Sequence, residues 1–174
     1  AGSVVDQNTG NPIADAVVEA FKERRNVDAT LSKVGFRAKT DSLGNYIIEN
    51  LPAGKYIVVA NARHYLREFY HEAARKSEAT LIEIGEDTSV TGIDFTLDKG
   101  GAIEGFVASA EDSMPIARAL VRVIDPNSHR NKIGYTNADG NYLVPGLPTG
   151  NYLVQVIARG YFNEFYDNVR NRSN

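Results

Sequence analysis

Apolar residues recur with period two in short runs along the chain, and turn-forming residues separate the runs. This alternation is typical of half-buried β-strands. It predicts strands at 2–5, 16–21, 35–40, 45–49, 55–62, 80–84, 90–97, 102–108, 119–124, 133–136, 141–144 and 151–158. In 55–62 both alternating sets of positions are apolar, so we expect this strand to be covered on both faces. The pattern predicts an all-β chain that folds into antiparallel two-sheet sandwiches.

The same stretch of sequence occurs twice. Residues 40–70 read TDSLGNYIIENLPAGKYIVVANARHYLREFY, and residues 136–166 read TNADGNYLVPGLPTGNYLVQVIARGYFNEFY without a gap. A second match aligns residues 2–21 with residues 105–124 through a shared PIA. Between these matches the first copy is longer, in KERRNVDATLSK, which we expect to be a surface loop. Two domains of ordinary size are therefore predicted, 1–99 and 100–174.

The two copies are unequal at their ends. After its EFY the first copy continues through HEAARKSEATLIEIGEDTSVTGIDFTLDKG, which holds two predicted strands that the second copy lacks. We therefore expect the second domain to be incomplete, with an unpaired edge and an uncovered apolar face. Three explanations of the missing strands stay open: the natural chain continues, a neighbouring copy supplies a strand, or the second sandwich is simply smaller. The first copy also begins abruptly, so the chain resembles one period of a longer array.

The motifs carry a resemblance. The order G-x-V, PIADAxVxA, T-(D/N)-x-x-GNY, LPxGxY, an aromatic turn and TGIDFTLDKGGAIEGFV is similar to that of bacterial carboxypeptidase regulatory-like domains. The resemblance implies a transthyretin-like (prealbumin-like) sandwich, similar to the repeat domains of collagen adhesins. It covers nearly the whole chain. It leaves the function open, because such domains accompany peptidases, adhesins, polysaccharide-processing proteins and surface arrays.

Composition narrows the function classes. The 174 residues are 43% hydrophobic and 24% charged with a net charge of −3, so the chain is globular and has no basic surface pattern for nucleic acid. No apolar run approaches the ~20 residues of a membrane-spanning helix. With no cysteine, a disulfide framework, a thiolate metal site and a cysteine nucleophile are excluded.

Candidate chemistry is sparse. Motifs of nucleophilic, metallopeptidase and phosphate-binding sites do not occur. His64, His71 and Glu72 are close in sequence, but two lone surface histidines are a weak case for a metal. Asp41 and Asp139 are explained better as turn formers than as calcium ligands. We predict no enzyme activity, cofactor or metal.

Charged residues of the aromatic segment repeat between the copies. Arg63 with Glu68, and Arg159 with Glu164, are expected to form ion pairs that hold the segment, which we expect to be a tight turn followed by an irregular or short helical stretch. Collagen-adhesin-like repeats can carry a Lys–Asn bond between their first and last strands. Here the first strands contain no lysine and Asp94 has no evident partner, so we expect no such crosslink.

Aromatic residues at matching positions form a candidate interaction surface. These are Tyr65, Phe69, Tyr70, Tyr161, Phe165 and Tyr166. Core packing explains them equally well, and carbohydrate binding is a third interpretation. Asn171 begins an Asn-Arg-Ser sequon and is a candidate glycosylation site.

The leading hypothesis is a non-catalytic extracellular or cell-surface module with a structural or adhesive role. Its partners would be proteins, through self-association into an array or filament by strand pairing between chains. The alternative is a pair of accessory domains that position substrate or carbohydrate for a larger secreted hydrolase or peptidase.

Overall fold

The computed structural model describes residues 1–23, 35–73, 76–166 and 169–170. The chain divides into two units, Ala1–Lys99 and Gly100–Asn174. Within the described ranges, no helix is both long and apolar enough to cross a membrane. The expected surface loop KERRNVDATLSK lies almost entirely outside the described residues, as does Asn171.

Unit 1 is a sandwich of two sheets. Its described strands are β1 (Gly2–Asp6), β2 (Val17–Lys22), β3 (Phe36–Lys39), β4 (Asn45–Tyr46), β5 (Gly54–Asn61), β6 (Glu68–Phe69), β7 (Ile82–Ile84) and β8 (Phe95–Leu97). One sheet has the order β4-β1-β8, and the other has the order β3-β2-β5-β6, with β7 also paired to β5. The core between the sheets includes Val4, Phe95 and Leu97 from the first sheet, and Val18 and Tyr56 from the second.

Strand β5 is buried on both faces, as its sequence predicts. Tyr56 and Val58 belong to the core between the sheets, whereas Ile57 and Val59 pack on the opposite face with Phe69. The outer face is covered because Phe69 and Ala73, with Phe21 and Ala79, pack against Ile57 and Val59 there.

Unit 2 repeats this sandwich, with fewer strands in its described residues. Its described strands are β9 (Gly101–Phe106), β10 (Leu120–Ile124), β11 (Asn131–Tyr135), β12 (Asn141–Leu147), β13 (Leu153–Ile157), β14 (Glu164–Phe165) and β15 (Val169–Arg170). The sheets are β12-β9 and β11-β10-β13-β14-β15. Val121, Val123, Val144 and Leu147 form the buried centre of its core.

The repeated sequence makes repeated hydrogen bonds. The Thr40 hydroxyl donates to the Ile13 carbonyl at 2.6 Å and accepts from the Ala16 amide at 2.9 Å. Thr136 makes the same two bonds, to Ile116 at 2.6 Å and from Ala119 at 2.8 Å. Both hydroxyls are buried, and a buried polar group needs such partners. This part of the duplication therefore has a structural role, because the threonine hydroxyl joins a turn to a strand in both units; we call this pair of hydrogen bonds the latch.

The turn that follows each latch explains its glycine. Gly44 and Gly140 have φ of 77° and 78°, a region that favours glycine because it has no Cβ. The Asp41 carboxylate accepts from the amides of Leu43 and Asn45, both at 2.9 Å. Asp41 thus acts as a turn former.

Strand pairing differs from the sequence prediction in two ways. The sandwich is not purely antiparallel, because β1 and β8 run parallel, with Val4 opposite Phe95 and Asp6 opposite Leu97. The chain passes from β7 in one sheet to β8 in the other, so the last strand enters beside the first without a hairpin. The aromatic segment was predicted to be a tight turn followed by an irregular or short helical stretch; the turn is present at 63–64, but a short strand follows it instead of a helix. Residues Glu68–Phe69 form strand β6, which pairs with β5.

Candidate functional site

The histidines show no shared site. His71 has a positive φ of 70° and stacks on Tyr70, with ring centroids 5.7 Å apart. Among the residues that the structure describes, no group of three or more His, Asp or Glu side chains is placed to hold a metal ion.

The predicted Arg–Glu ion pairs are not formed. In the described structure the side chains of Arg63 and Arg159 lie in solvent and neither is in an ion pair with Glu68 or Glu164. Burial, together with the nearby charges of Glu72 and Asp98, raises the pKa of Glu68 to about 7. An arginine partner would have lowered this pKa, so the repeated charges do not hold the segment as we expected.

The closing strand β8 of unit 1 is fastened by polar contacts on both sides. The Asp94 carboxylate accepts from the Ser3 amide and hydroxyl, both at 2.8 Å; these are hydrogen bonds, and the predicted absence of a lysine crosslink at Asp94 stays a prediction. The Tyr46 hydroxyl donates to the Ile93 carbonyl at 2.6 Å. These bonds were invisible in the sequence because Ser3 and Asp94 are far apart along the chain.

A second fastening lies at the other end of β8. The Asp6 carboxylate is 3% exposed, accepts from the Tyr65 hydroxyl at 2.8 Å and lies 3.2 Å from the Lys99 ammonium. The hydrogen bond from Tyr65, with those from Thr9 and Lys99, holds the pKa of Asp6 well below its usual range. The buried carboxylate is therefore ionised and fully partnered.

The aromatic residues of unit 1 are structural. Phe69 is 2% exposed and belongs to the outer core cluster, so it is not part of an interaction surface, contrary to the prediction. Tyr65 and Tyr70 are half-buried and pack against the main core. The Tyr70 and Phe95 rings meet edge to face, with centroids 6.0 Å apart. Strand β8 therefore packs on Tyr70, whereas Phe69 lies on the outer face of the other sheet.

The equivalent aromatics of unit 2 are open. Tyr161 is 50% exposed and Tyr166 is 80% exposed, while Phe165 is half-buried. They line a groove of about 560 Å³ that lies wholly within unit 2. The neighbouring Phe106 and Phe162 are 56% and 84% exposed. The groove is walled by the following residues: Phe106, Val107, Ala108, Tyr142, Val156 and Phe162 among others.

The groove ends at an unpaired strand edge. In the described part of unit 2, β9 pairs with β12 on one side only. The amide of Val107 donates to Gly140 and its carbonyl accepts from Ile116, so these bonds hold the segment in place. Exposed apolar surface beside an unpaired edge is the usual signature of a binding surface for another chain. Sequence reasoning predicted the edge but placed Phe106 and Phe162 in no site.

Fold and groove together define an all-β protein of two sandwich units of one design, in which the described residues of unit 2 contain no counterpart of β8. The chain belongs to the carboxypeptidase regulatory-like domain family, whose model matches residues 1–98 and 102–173. The resemblance read from the sequence is thereby confirmed, and so is the tandem arrangement.

Solved structures with a similar fold are distant. A Streptococcal ancillary pilin is 19% identical, with a TM-score of 0.44 over 98% of this chain, which spans 58% of that chain. The minor pilin of Streptococcus agalactiae is 13% identical, with a TM-score of 0.38 over 97% of this chain and 90% of the pilin. A shaft pilin of Lactobacillus rhamnosus GG is 8% identical, with a TM-score of 0.37 over 98% of this chain and 92% of the pilin. A comparison with curated proteins gives no match.

Proposed function

We propose that the chain is a non-catalytic structural or adhesive module of an extracellular or cell-surface assembly, joined to other chains by strand pairing into an array or filament. The observation that supports it most directly is the inequality of the two sandwiches. One sheet has three strands in unit 1, and its counterpart in unit 2 has two in the described residues. An open strand edge readily pairs with another chain.

The use of buried polar groups also favours a structural role. Three buried polar side chains form hydrogen bonds only with turns and strands of their own unit in the described residues: Asp6, Thr40 and Thr136. A catalytic acid or base needs a proton that it can exchange with a substrate. The buried Asp6 carboxylate is instead neutralised by Lys99.

Native material tests this proposal directly. Electron microscopy should show fibres or a regular surface layer. Hydrogen exchange of the backbone around Ala108 should be slower in assembled material than in the isolated chain, because pairing with another chain protects its amides. The segment around Ile133, on the edge strand β11, is the internal reference. Dispersed monomers, with equal exchange around Ala108 in both samples, would contradict the proposal.

Family membership supports a second candidate function. The name of the carboxypeptidase regulatory-like family refers to a peptidase, which favours accessory domains that position substrate or carbohydrate for a secreted hydrolase. A zinc-peptidase or glycosidase domain in the adjoining reading frame would establish this function instead. Binding of a glycan array through Tyr161 and Tyr166 would support the carbohydrate version.

A further inference from the structure

The groove of unit 2 lies where β8 lies in unit 1. Strand β8 pairs with Val4, Val5 and Asp6, and the sequence repeat places Val107, Ala108 and Ser109 at the equivalent positions. Phe95 of β8 lies between two tyrosine rings, with centroids 6.5 Å from Tyr46 and 6.0 Å from Tyr70.

The tyrosines equivalent to that pair, Tyr142 and Tyr166, line the groove together with Val107 and Ala108. In unit 1 the covering strand leaves Phe95 1% exposed and Leu97 0% exposed. Unit 2 therefore presents the receptor half of an interaction that unit 1 completes within itself.

The receptor of unit 2 is more apolar than that of unit 1. Phe106 replaces Ser3, which holds Asp94, and Ser109 replaces Asp6, which pairs with Lys99. Phe162 replaces Leu66. Unit 2 thus lacks the side chains that make the hydrogen bonds to Asp94 and the ion pair with Lys99 in unit 1, and it exposes more aromatic surface. Aromatic enrichment is typical of surfaces that bind a separate partner, because such side chains bury a large area at low entropic cost.

We propose that this groove binds an extended strand donated by another polypeptide of the assembly, parallel to 107–109. Its apolar side chains occupy three positions, equivalent to Asp94, Phe95 and Leu97 of β8. The last two enter the groove, and the first covers the Phe106 ring in place of the hydrogen bonds that Ser3 makes. This inference rests on the proposed function and names its site and the chemistry of the donor.

A second copy of these 174 residues is a poor donor. The β8 strand of each copy already closes its own unit 1, with Phe95 and Leu97 buried there. Transfer of that strand to the unit 2 of a neighbour would open one sandwich for each that it closes. It would also place the Asp94 carboxylate against the Phe106 ring, which cannot hydrogen-bond to it. The donor is therefore a strand of different sequence.

A peptide titration tests the proposal. The probe is a nine-residue peptide with the sequence of residues 91–99, TGIDFTLDK, and its Asp94→Val form, each added to the whole chain and measured by calorimetry. We expect the Asp94→Val peptide to bind about tenfold more tightly, since it adds roughly two buried methylene equivalents against Phe106. A peptide in which Phe95 and Leu97 are both serine should not bind.

Matched protein variants localise the effect. Phe106→Ser restores the residue type of Ser3 and should reverse the preference, so that the Asp94 peptide binds better. Ile133→Ser is the control: Ile133 is 48% exposed on β11, away from the groove, and this change should leave both affinities unaltered. Because Phe106 is 56% exposed, its replacement should leave the fold of unit 2 intact, which far-UV circular dichroism checks.

Orientation is read by disulfide formation, because the natural chain contains no cysteine. Ala110 is equivalent to Gln7, whose amide donates to Leu97 at 3.0 Å. In the parallel arrangement, Ala110→Cys should crosslink to a peptide with Asp98→Cys and not to one with Gly92→Cys.

The proposal would be overturned by the absence of peptide binding, by the same preference in Phe106→Ser as in the natural chain, by crosslinking at position 92 alone, or by dimers of the chain that form without peptide. Native polypeptide that rejects the peptide while the 174-residue chain binds it would place the donor in the same polypeptide and refute donation by another chain. If the chain binds the peptide but native material consists of dispersed monomers, the proposed function is refuted and the strand-acceptor site is not. Assemblies without peptide binding would sink the strand-acceptor site alone.

Discussion

Replacement of Phe95 by alanine should destabilise unit 1 strongly. The Phe95 side chain is 1% exposed and its ring contacts those of Tyr46 and Tyr70. Truncation of a buried phenylalanine costs about 3–5 kcal/mol, because apolar burial is lost and a cavity remains. Small domains have total stabilities of about 5–15 kcal/mol, so the change would remove much of the stability of unit 1.

Hydrogen exchange followed by mass spectrometry resolves the two units separately. A loss of about 3–5 kcal/mol should speed globally limited exchange in β2 and β5 by roughly a hundredfold to a thousandfold or more, at about tenfold per 1.4 kcal/mol. Peptides of β10 and β13 should be unchanged. Phe162→Ala, at a ring that is 84% exposed in unit 2, is the control and should alter exchange in neither unit.

The closing-strand interpretation of β8 fails if exchange of β2 and β5 in Phe95→Ala rises less than about fivefold, which is ~1 kcal/mol. In that case the sheets of unit 1 would hold together without this strand. The groove of unit 2 would then need no occupant, and the argument for a bound strand would lose its physical basis.

Three further predictions test other parts of the structure. The pKa of Glu68 is raised from 4.5 to about 7, so the free energy of unfolding should fall as pH rises through that window. Glu68→Gln should therefore raise the stability of unit 1 at pH 8 by about 1–2 kcal/mol after allowance for partial solvent exposure. Urea titrations at pH 5 and pH 8 should show that the variant loses this pH dependence of stability, and an unchanged pH dependence would refute the assignment. Intact mass should equal the full sequence mass, because the ionised Asp6 carboxylate facing Lys99 at 3.2 Å is a poor electrophile; a mass one water lower would reveal an amide bond between them. Gly140→Ala should lower the free energy of unfolding by about 2–4 kcal/mol in thermal unfolding, because φ is 78° and a Cβ would lie 2.6 Å from the Val107 carbonyl oxygen. Gly10→Ala is the control: nothing lies within 4 Å of its Cβ, so it should lower the stability by only about 1 kcal/mol. Equal effects would contradict the steric argument.

Local chemistry made much of the fold predictable. The alternation in β5, the turn at Gly44 and Gly140 and the duplicated motif each depend on residues close in sequence, so pattern and structure agree. The strand ends shift by a few residues. The parallel partner of β1 was missed because its pairing joins Val4 to Phe95 across most of the unit.

The sites were less predictable, because identical sequence meets different surroundings. REFY and NEFY are nearly the same, yet Tyr70 is half-buried against Phe95 and its counterpart Tyr166 is 80% exposed. Whether the aromatics are core or surface is decided by a strand that is distant along the chain. The Arg–Glu pairs failed for a related reason: equal spacing in two copies does not fix where long side chains point.

The parallel arrangement of β1 and β8 has a mechanical consequence. These strands lie near the two ends of unit 1 and run side by side in the same direction. Tension applied between Ala1 and Lys99 therefore acts along the strands and loads their shared hydrogen bonds together, in shear, instead of peeling them apart one after another. This pairing therefore resists extension of unit 1 between these two ends. Unit 2 would gain the same clamp only when a strand running in that direction fills its groove.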